Sequence, residues 1–383
     1  MAKYDFNNSR YVAFWKSQEG KNALSVLLTN PELIKMNYGF WRTQFKVDPL
    51  TGERHHDGTA TFAAKMRKAA VPGMLDLRSP LGDSYPRDKH GVEFYLGTIP
   101  DFIAKGYVEQ AMEREAKRRM FEEYFGNDAE IVMAYKDELQ VMIDEGNQTM
   151  TNMAGQLLSK GNIIWNYGDG IKSPLSKATI PTTNYKKAGE KAWSDPDCKL
   201  INQMQKIEAD FREESGYQGP LKWQIPLDMF RNVFLKNAQV VAYIKEWREL
   251  NEKVNLTSMT IKTEMFEEAF KNNEFLSPIE VVKEQQKDGE TTVHGWVQTN
   301  AVLRPAGFAG LVKKVTPLDV VMAKKYGAKS MVKVFANVDI FTFFNTTLDN
   351  GDYQEWHTDM VVSAVPTLDE FLYHTIIDTS VAG

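Results

Sequence analysis

At 383 residues the chain exceeds what one hydrophobic core usually serves, and its 43% apolar and 25% charged residues are those of a globular protein. A net charge of −5 argues against a tight grip on nucleic acid, and a single cysteine, Cys198, against a disulfide framework. No apolar run approaches the roughly eighteen residues of a membrane span.

The charge is unevenly spread. Residues 1–90 carry 14 Lys and Arg against 9 Asp and Glu, so the rest of the chain is the acidic part. A basic first quarter could bind acidic bodies of neighbouring copies; a solvated arm that simply collects lysine gives the same count. Residues 1–58 read as an arm, with Asn30-Pro31 as a breaker and residues 51–58 as turn material. Its aromatics, among them Phe14, Trp15, Trp41 and Phe45, must pack on this subunit's body or another's.

Residues 59–99 are punctuated by Pro72, Pro80 and Pro86 and by Gly73, Gly82, Gly91 and Gly97 between two strand-like flanks, 59–66 and 92–96. That density excludes helix and central strand and fits a long hairpin arm needing a partner surface. Residues 100–160 then read as helix. Val108, Met112, Ala116, Met120 and Tyr124 line its first half, and Ile131, Tyr135, Leu139, Met142, Met150, Met153 and Leu157 its second. Gly126-Asn127-Asp128 interrupts the run and is its expected hinge.

After Gly161 a strand, 162–167, turns at Gly168-Asp169-Gly170. Asp195-Pro196 reads as a helix start, with Leu200, Met204, Ile207 and Phe211 inward and Gly216 ending it. A second helix from Leu227 is expected to bury Phe230, Phe234, Ala238 and Val241. From Asn255 the pattern turns β-rich, with helices at 263–272 and 318–326, and closes on a strand from Trp356.

Catalytic signatures are missing. There is no phosphate loop, dinucleotide fingerprint, His-Glu-x-x-His or Cys-x-x-Cys. His55-His56 makes a poor chelate, Cys198 reads as a buried thiol, and Asp349-Asn350-Gly351 as a hairpin turn. Paired carboxylates such as Glu122-Glu123 and Glu213-Glu214 are those of solvated helix faces. We therefore assign no catalytic, cofactor-binding or metal residue. Two segments that cannot stabilise themselves, beside a very long helix, suggest a protein completed by its neighbours.

Several segments together resemble the major capsid proteins of tailed double-stranded DNA phages, and the lambda-type capsid protein in particular. They are Val71-Pro72 through Pro80-Leu81-Gly82, the helix end at 154–161, and Trp193-Ser194-Asp195-Pro196-Asp197 with Ile201 and Ile207 behind it. The stretches 237–245 and Trp356 through Pro366 complete the set. Cys198-Lys199-Leu200 departs from the acidic and small residues usual after that motif.

The resemblance implies an α+β fold of the Hong Kong 97 capsid type. Residues 1–58 would be an N-terminal arm, 59–99 an extended loop, 100–185 with 346–383 a peripheral domain on the spine helix, and 186–345 an axial domain. It implies a homo-oligomer of hexamers and pentamers, forming an icosahedral shell around double-stranded DNA without reading its sequence. A separate scaffolding protein, a portal and decoration proteins would be its partners, with no membrane and no cofactor. The virion, assembled in the bacterial cytoplasm, would be its location. Arg67, Lys68, Met74, Arg78, Arg87 and Lys89 on the extended loop would meet the next subunit. An encapsulin-like compartment shell and a cytosolic α/β enzyme using carboxylates stay open beside this reading.

Overall fold

The computed structural model describes residues 18, 19, 22, 39–55, 57, 59–66, 93–105, 128–166, 172–177, 180–252, 261–271, 273–284, 286–288, 291–318, 332–349 and 354–382. Its longest element is the spine helix Asp128–Lys160, 33 residues and about 50 Å at 1.5 Å per residue. Leu139, Met142, Ile143, Met150, Met153, Ala154, Leu157 and Leu158 recur at helical spacing, and all are buried. Gly161 ends the helix with φ 76° while its N–H donates to the Leu157 carbonyl, a C-terminal closure that an L residue adopts only with strain.

The helix does not begin at residue 101. Phe102–Lys105 is a strand at the edge of a four-stranded sheet, antiparallel to Gln354–Val362. Phe102 is half-buried against Trp165 with ring centroids 4.7 Å apart, Ile103 is exposed and Ala104 is buried. That two-residue alternation belongs to a strand, whereas the four-residue spacing starts only at Val108. Residues 106–127, with the expected hinge at Gly126 and Asn127, lie outside the described residues.

A five-stranded sheet divides the molecule into two cores. Its order is Ile279–Val282, Leu221–Pro226, Asn300–Pro305, Thr375–Asp378 and Tyr185–Lys187, with parallel outer pairs and antiparallel inner ones. Successive residues on a strand face opposite ways. Ile279, Val281, Trp223, Ile225, Ala301, Leu303 and Ile377 therefore join one core, and Val282, Val302 and Ile376 join the core of the spine helix.

The first core is closed by helix Leu200–Ser215, helix Ala238–Glu252 and helix Thr263–Lys271. Trp193 anchors it, donating Nε1 to the Ala188 carbonyl at 3.1 Å and lying 6.1 Å from the Trp223 ring and 5.9 Å from Phe234. Asp195 does not start a helix. Its Oδ1 accepts from the Asp197 N–H at 2.8 Å, and its carbonyl from Cys198, so residues 193–197 make turns and the helix begins at Leu200. Leu200, Met204, Ile207 and Phe211 are buried as their spacing predicts.

The second expected helix is broken. Leu227–Asn232 is followed by a 3-10 turn, Phe234–Lys236, and helix Ala238–Glu252 restarts the phase. Asn237, 4% exposed, causes the restart: Oδ1 accepts from the N–H groups of Gln239 and Val240, and Nδ2 donates to the Cys198 carbonyl at 2.8 Å. Val240 and Ile244 are thereby buried, while Ala238 is exposed and Val241 only half-buried.

Two further sheets flank the spine helix. Val332–Val338, Phe341–Asp349 and Gln354–Val362 form consecutive hairpins ending on Phe102–Lys105. Phe45–Thr51 runs parallel to Gly310–Lys314, which pairs antiparallel with Ala364–Leu368. Trp41 and Phe45, 0% and 1% exposed, are thus packed on this chain's own body.

Candidate functional site

The segment 59–99, expected as an extended loop, begins and ends on a paired stem. Ala60–Met66 and Glu93–Thr98 are antiparallel, from Thr61↔Thr98 to Met66↔Glu93, and Glu53–Arg54 adds a short third strand. Gly97 lies where a Cβ would overlap the Phe62 ring, so the stem is tight at its base. Arg54 fastens it to the body, donating Nη2 to Asp101 at 2.7 Å and Nε to the Thr316 carbonyl at 2.8 Å. Arg67, Lys68, Met74, Arg78, Arg87 and Lys89 lie outside the described residues, between the two stem strands in sequence.

A buried polar cluster that the sequence reading missed occupies the spine-facing side of the dividing sheet. Arg304, 2% exposed, donates Nε to Gln224 Oε1 at 2.9 Å, Nη2 to Gln44 Oε1, and Nη1 to the carbonyls of Pro305 and Gly307. Lys222 Nζ lies 2.6 Å from Glu280 Oε2, and Gln224 Nε2 donates to the same oxygen at 2.9 Å. Gln44 Nε2 completes the set by donating to Glu280 Oε1 at 2.9 Å. The available signal was the alternation in Leu221–Pro226, where Lys222 and Gln224 share the polar face. Sequence alone assigns such a face to solvent.

Electrostatics in the cluster follow from burial. Loss of water, reinforced by nearby positive charge, holds Lys222 below the usual lysine value against the pull of Glu280. Burial alone pushes Arg304 down to about 10. For Glu280 burial, the largest single effect, works to raise the carboxyl, but Lys222, Gln224 and Arg304 together outweigh it and the value falls below the usual carboxylate range.

His374 lies in the same dividing layer. It is 2% exposed, and its Nε2 donates to the Leu158 carbonyl in the last turn of the spine helix at 2.7 Å. The carbonyl can only accept, so the proton is on Nε2. Burial, with Arg304 adding to it against that hydrogen bond, takes His374 from 6.5 to about 4. The folded state therefore keeps a neutral ring where the unfolded chain binds a proton. Its contribution is complete above pH 6.5 and is lost as pH falls toward 4, a loss of about 3 kcal/mol. Burial raises Glu284 above the usual carboxylate range, which acts in the opposite sense. Urea midpoints for His374→Gln and the parent at pH 7 and pH 4.5 are expected to separate the two, the variant losing less on acidification. Equal losses would remove His374 from the acid response.

Two buried carboxylates, Glu208 and Glu284, are engaged by groups of the fold itself. Glu208 accepts from Trp223 Nε1 at 3.2 Å, from the Ser277 N–H at 3.0 Å and from the Ser277 hydroxyl at 2.6 Å, and pairs with Arg212. Glu284 accepts from the Trp296 N–H at 2.7 Å and from the Gln286 amide. Cys198 is buried, and burial followed by Asp195 raises its thiol. His55 Nε2 lies 2.6 Å from the Thr61 hydroxyl. Among the described residues no three His, Cys, Asp or Glu side chains are grouped to hold a metal ion, and no helix is long and apolar enough to cross a membrane.

No family model matches the chain, and no curated protein matches it in sequence. Solved structures do match. A phage-related protein from Bordetella bronchiseptica RB50 aligns over 93% of this chain and 96% of its own, at 10% identity and TM-score 0.48. The cyanophage A-1(L) capsid subunit aligns over 92% and 98%, at 10% identity and TM-score 0.47. A structure described as a prophage capsid protein of E. coli CFT073 aligns over 94% of this chain and 98% of its own, at 15% identity and TM-score 0.51. On that likeness the chain has, along nearly its whole length, the mixed helix-and-sheet fold of a phage capsid protein.

Proposed function

We propose that this chain is the major capsid protein of a tailed double-stranded DNA phage, with a fold of the Hong Kong 97 type, and that it works by assembly rather than catalysis. The carrying observation is the fold shared end to end with a protein described as a prophage capsid protein. The paired stem at Ala60–Met66 and Glu93–Thr98 supports it, because its two strands bracket residues 67–92 in the sequence, where the extended loop is expected.

In this reading residues 1–58 are the N-terminal arm and 59–99 the extended loop. Residues 100–185 with 346–383 form the peripheral domain, and 186–345 the axial domain. Copies join as hexamers and pentamers around the genome inside the virion, with a scaffolding protein, a portal and decoration proteins as partners. Arg67, Lys68, Met74, Arg78, Arg87 and Lys89 contact the neighbouring subunit, and Gly126-Asn127 is where the spine bends. Ordering such arms costs roughly 1–2 kcal/mol of backbone entropy per residue, so contacts made only in the shell must offset it. Arm order and shell closure are then one event.

The test is negative-stain imaging and sedimentation of the purified chain with and without its scaffolding protein. Closed shells or capsomers are expected. A monodisperse monomer under both conditions would overturn the reading.

A further inference from the structure

Helix Gly39–Gln44 touches the spine helix and the dividing sheet at once. On the spine side Trp41 donates Nε1 to Asn147 Oδ1 at 3.0 Å, and Phe40 meets Trp296 edge-on at 6.2 Å. Gly39 lies so near Thr151 that a Cβ would overlap its hydroxyl. Asn147 is 3% exposed, and its Nδ2 has no hydrogen-bond partner among the described residues, so the bond from Trp41 is its engaged end. Three residues on, Gln44 enters the polar cluster and is bonded there by Arg304, Gln224 and Lys222 and to Glu280. Arg42 reaches a third element, pairing with Asp339 in the turn between Val332–Val338 and Phe341–Asp349.

We propose that helix Gly39–Gln44 is a clamp that couples the spine helix to the dividing sheet, so that loosening one end frees the other. Its two anchors differ in kind. Trp41 is seated in an apolar core with one directed hydrogen bond. Gln44 is a neutral hub between two cations and one carboxylate, using its oxygen as acceptor and its nitrogen as donor. No apolar side chain could serve both roles. Taking Gln44 away leaves buried donors of Arg304 and an oxygen of Glu280 unmatched, the costly kind of loss. Those groups regain partners once water enters, so this seat can open and close where an apolar one would stay shut. Six residues of helix are too short to absorb movement between the anchors, which places them in series. The inference concerns the single chain and holds whether or not the chain builds shells.

Hydrogen exchange of the full, unassembled chain tests it, with one substitution at each anchor. Asn147→Ala touches only the spine side and is expected to speed exchange about tenfold in Leu221–Pro226 and Ile279–Val282. Gln44→Ala touches only the sheet side and is expected to speed exchange by a similar factor in residues 147–160. Should Gln44→Ala fail to fold, Asn147→Ala decides alone. Effects that stay on the substituted side would overturn the clamp.

Discussion

A chain lacking residues 74–87 is expected to fold both cores and to close no shells. The deletion starts beyond the stem, whose last described pair is Met66↔Glu93, so the ladder from Thr61 to Met66 keeps its partners. Stability should therefore change little, because a shorter connection between paired strands lowers the loop-closure cost only slowly with length. What the deletion removes is a stretch that carries Arg78, Arg87, Pro80 and Pro86 and that, as the proposed extended loop, could not support itself. In the proposed shell its binding free energy comes from the neighbouring subunit, so each missing arm subtracts a contact at every interface. The measurement pairs thermal melting with electron microscopy. A parent-like melt without particles is expected, and particles of normal size and yield would remove the arm from assembly.

Much of the architecture was legible because the signals were local. Leu139 to Leu157 repeat at helical spacing over several turns, and Leu200, Met204, Ile207 and Phe211 do so again, so both buried faces could be read directly. The strands on either side of residues 67–92 were legible from their own composition. What could not be read depends on partners distant in sequence. Phe102–Lys105 is a strand because Gln354–Val362 lies beside it. Phe45–Thr51 is parallel to Gly310–Lys314, a pairing without any hairpin signal between them. Asp195 looks like a helix cap until its oxygen is seen to be used by Asp197.

The polar cluster shows the same limit in sharper form. Lys222, Gln224, Glu280 and Arg304 alternate with apolar neighbours as residues on a solvent-facing sheet surface would. The binary pattern is correct about which face is polar and wrong about what covers it, because Gln44 arrives from far earlier in the chain. Arg304 then becomes almost fully buried, a placement rare for arginine unless every donor is answered.

Gly155→Ala is expected to destabilise the protein, and the sign of its effect separates two physical causes. In a helix interior alanine is favoured over glycine by about 1 kcal/mol, so propensity alone predicts a more stable protein. Packing predicts the reverse. A Cβ at Gly155 would lie 2.8 Å from the Trp296 nitrogen and 3.0 Å from the Gly295 carbonyl carbon, both backbone atoms. The segment facing it is held from several sides: Trp296 N–H donates to Glu284, Val297 N–H to the Ser159 hydroxyl at 3.0 Å, and Asn300 Nδ2 to the Ser159 carbonyl at 2.9 Å. It can move away only by breaking those bonds. Gly295 mirrors the contact, since a Cβ there would lie 2.7 Å from the Asn152 Cα. Each alanine is expected to cost about 2–4 kcal/mol, the range of backbone overpacking. The double variant should cost less than the sum, because one displacement of the segment relieves both clashes. Urea midpoints at constant slope measure it. Stabilisation by Gly155→Ala would mean that the 295–296 segment does not rest on the spine helix.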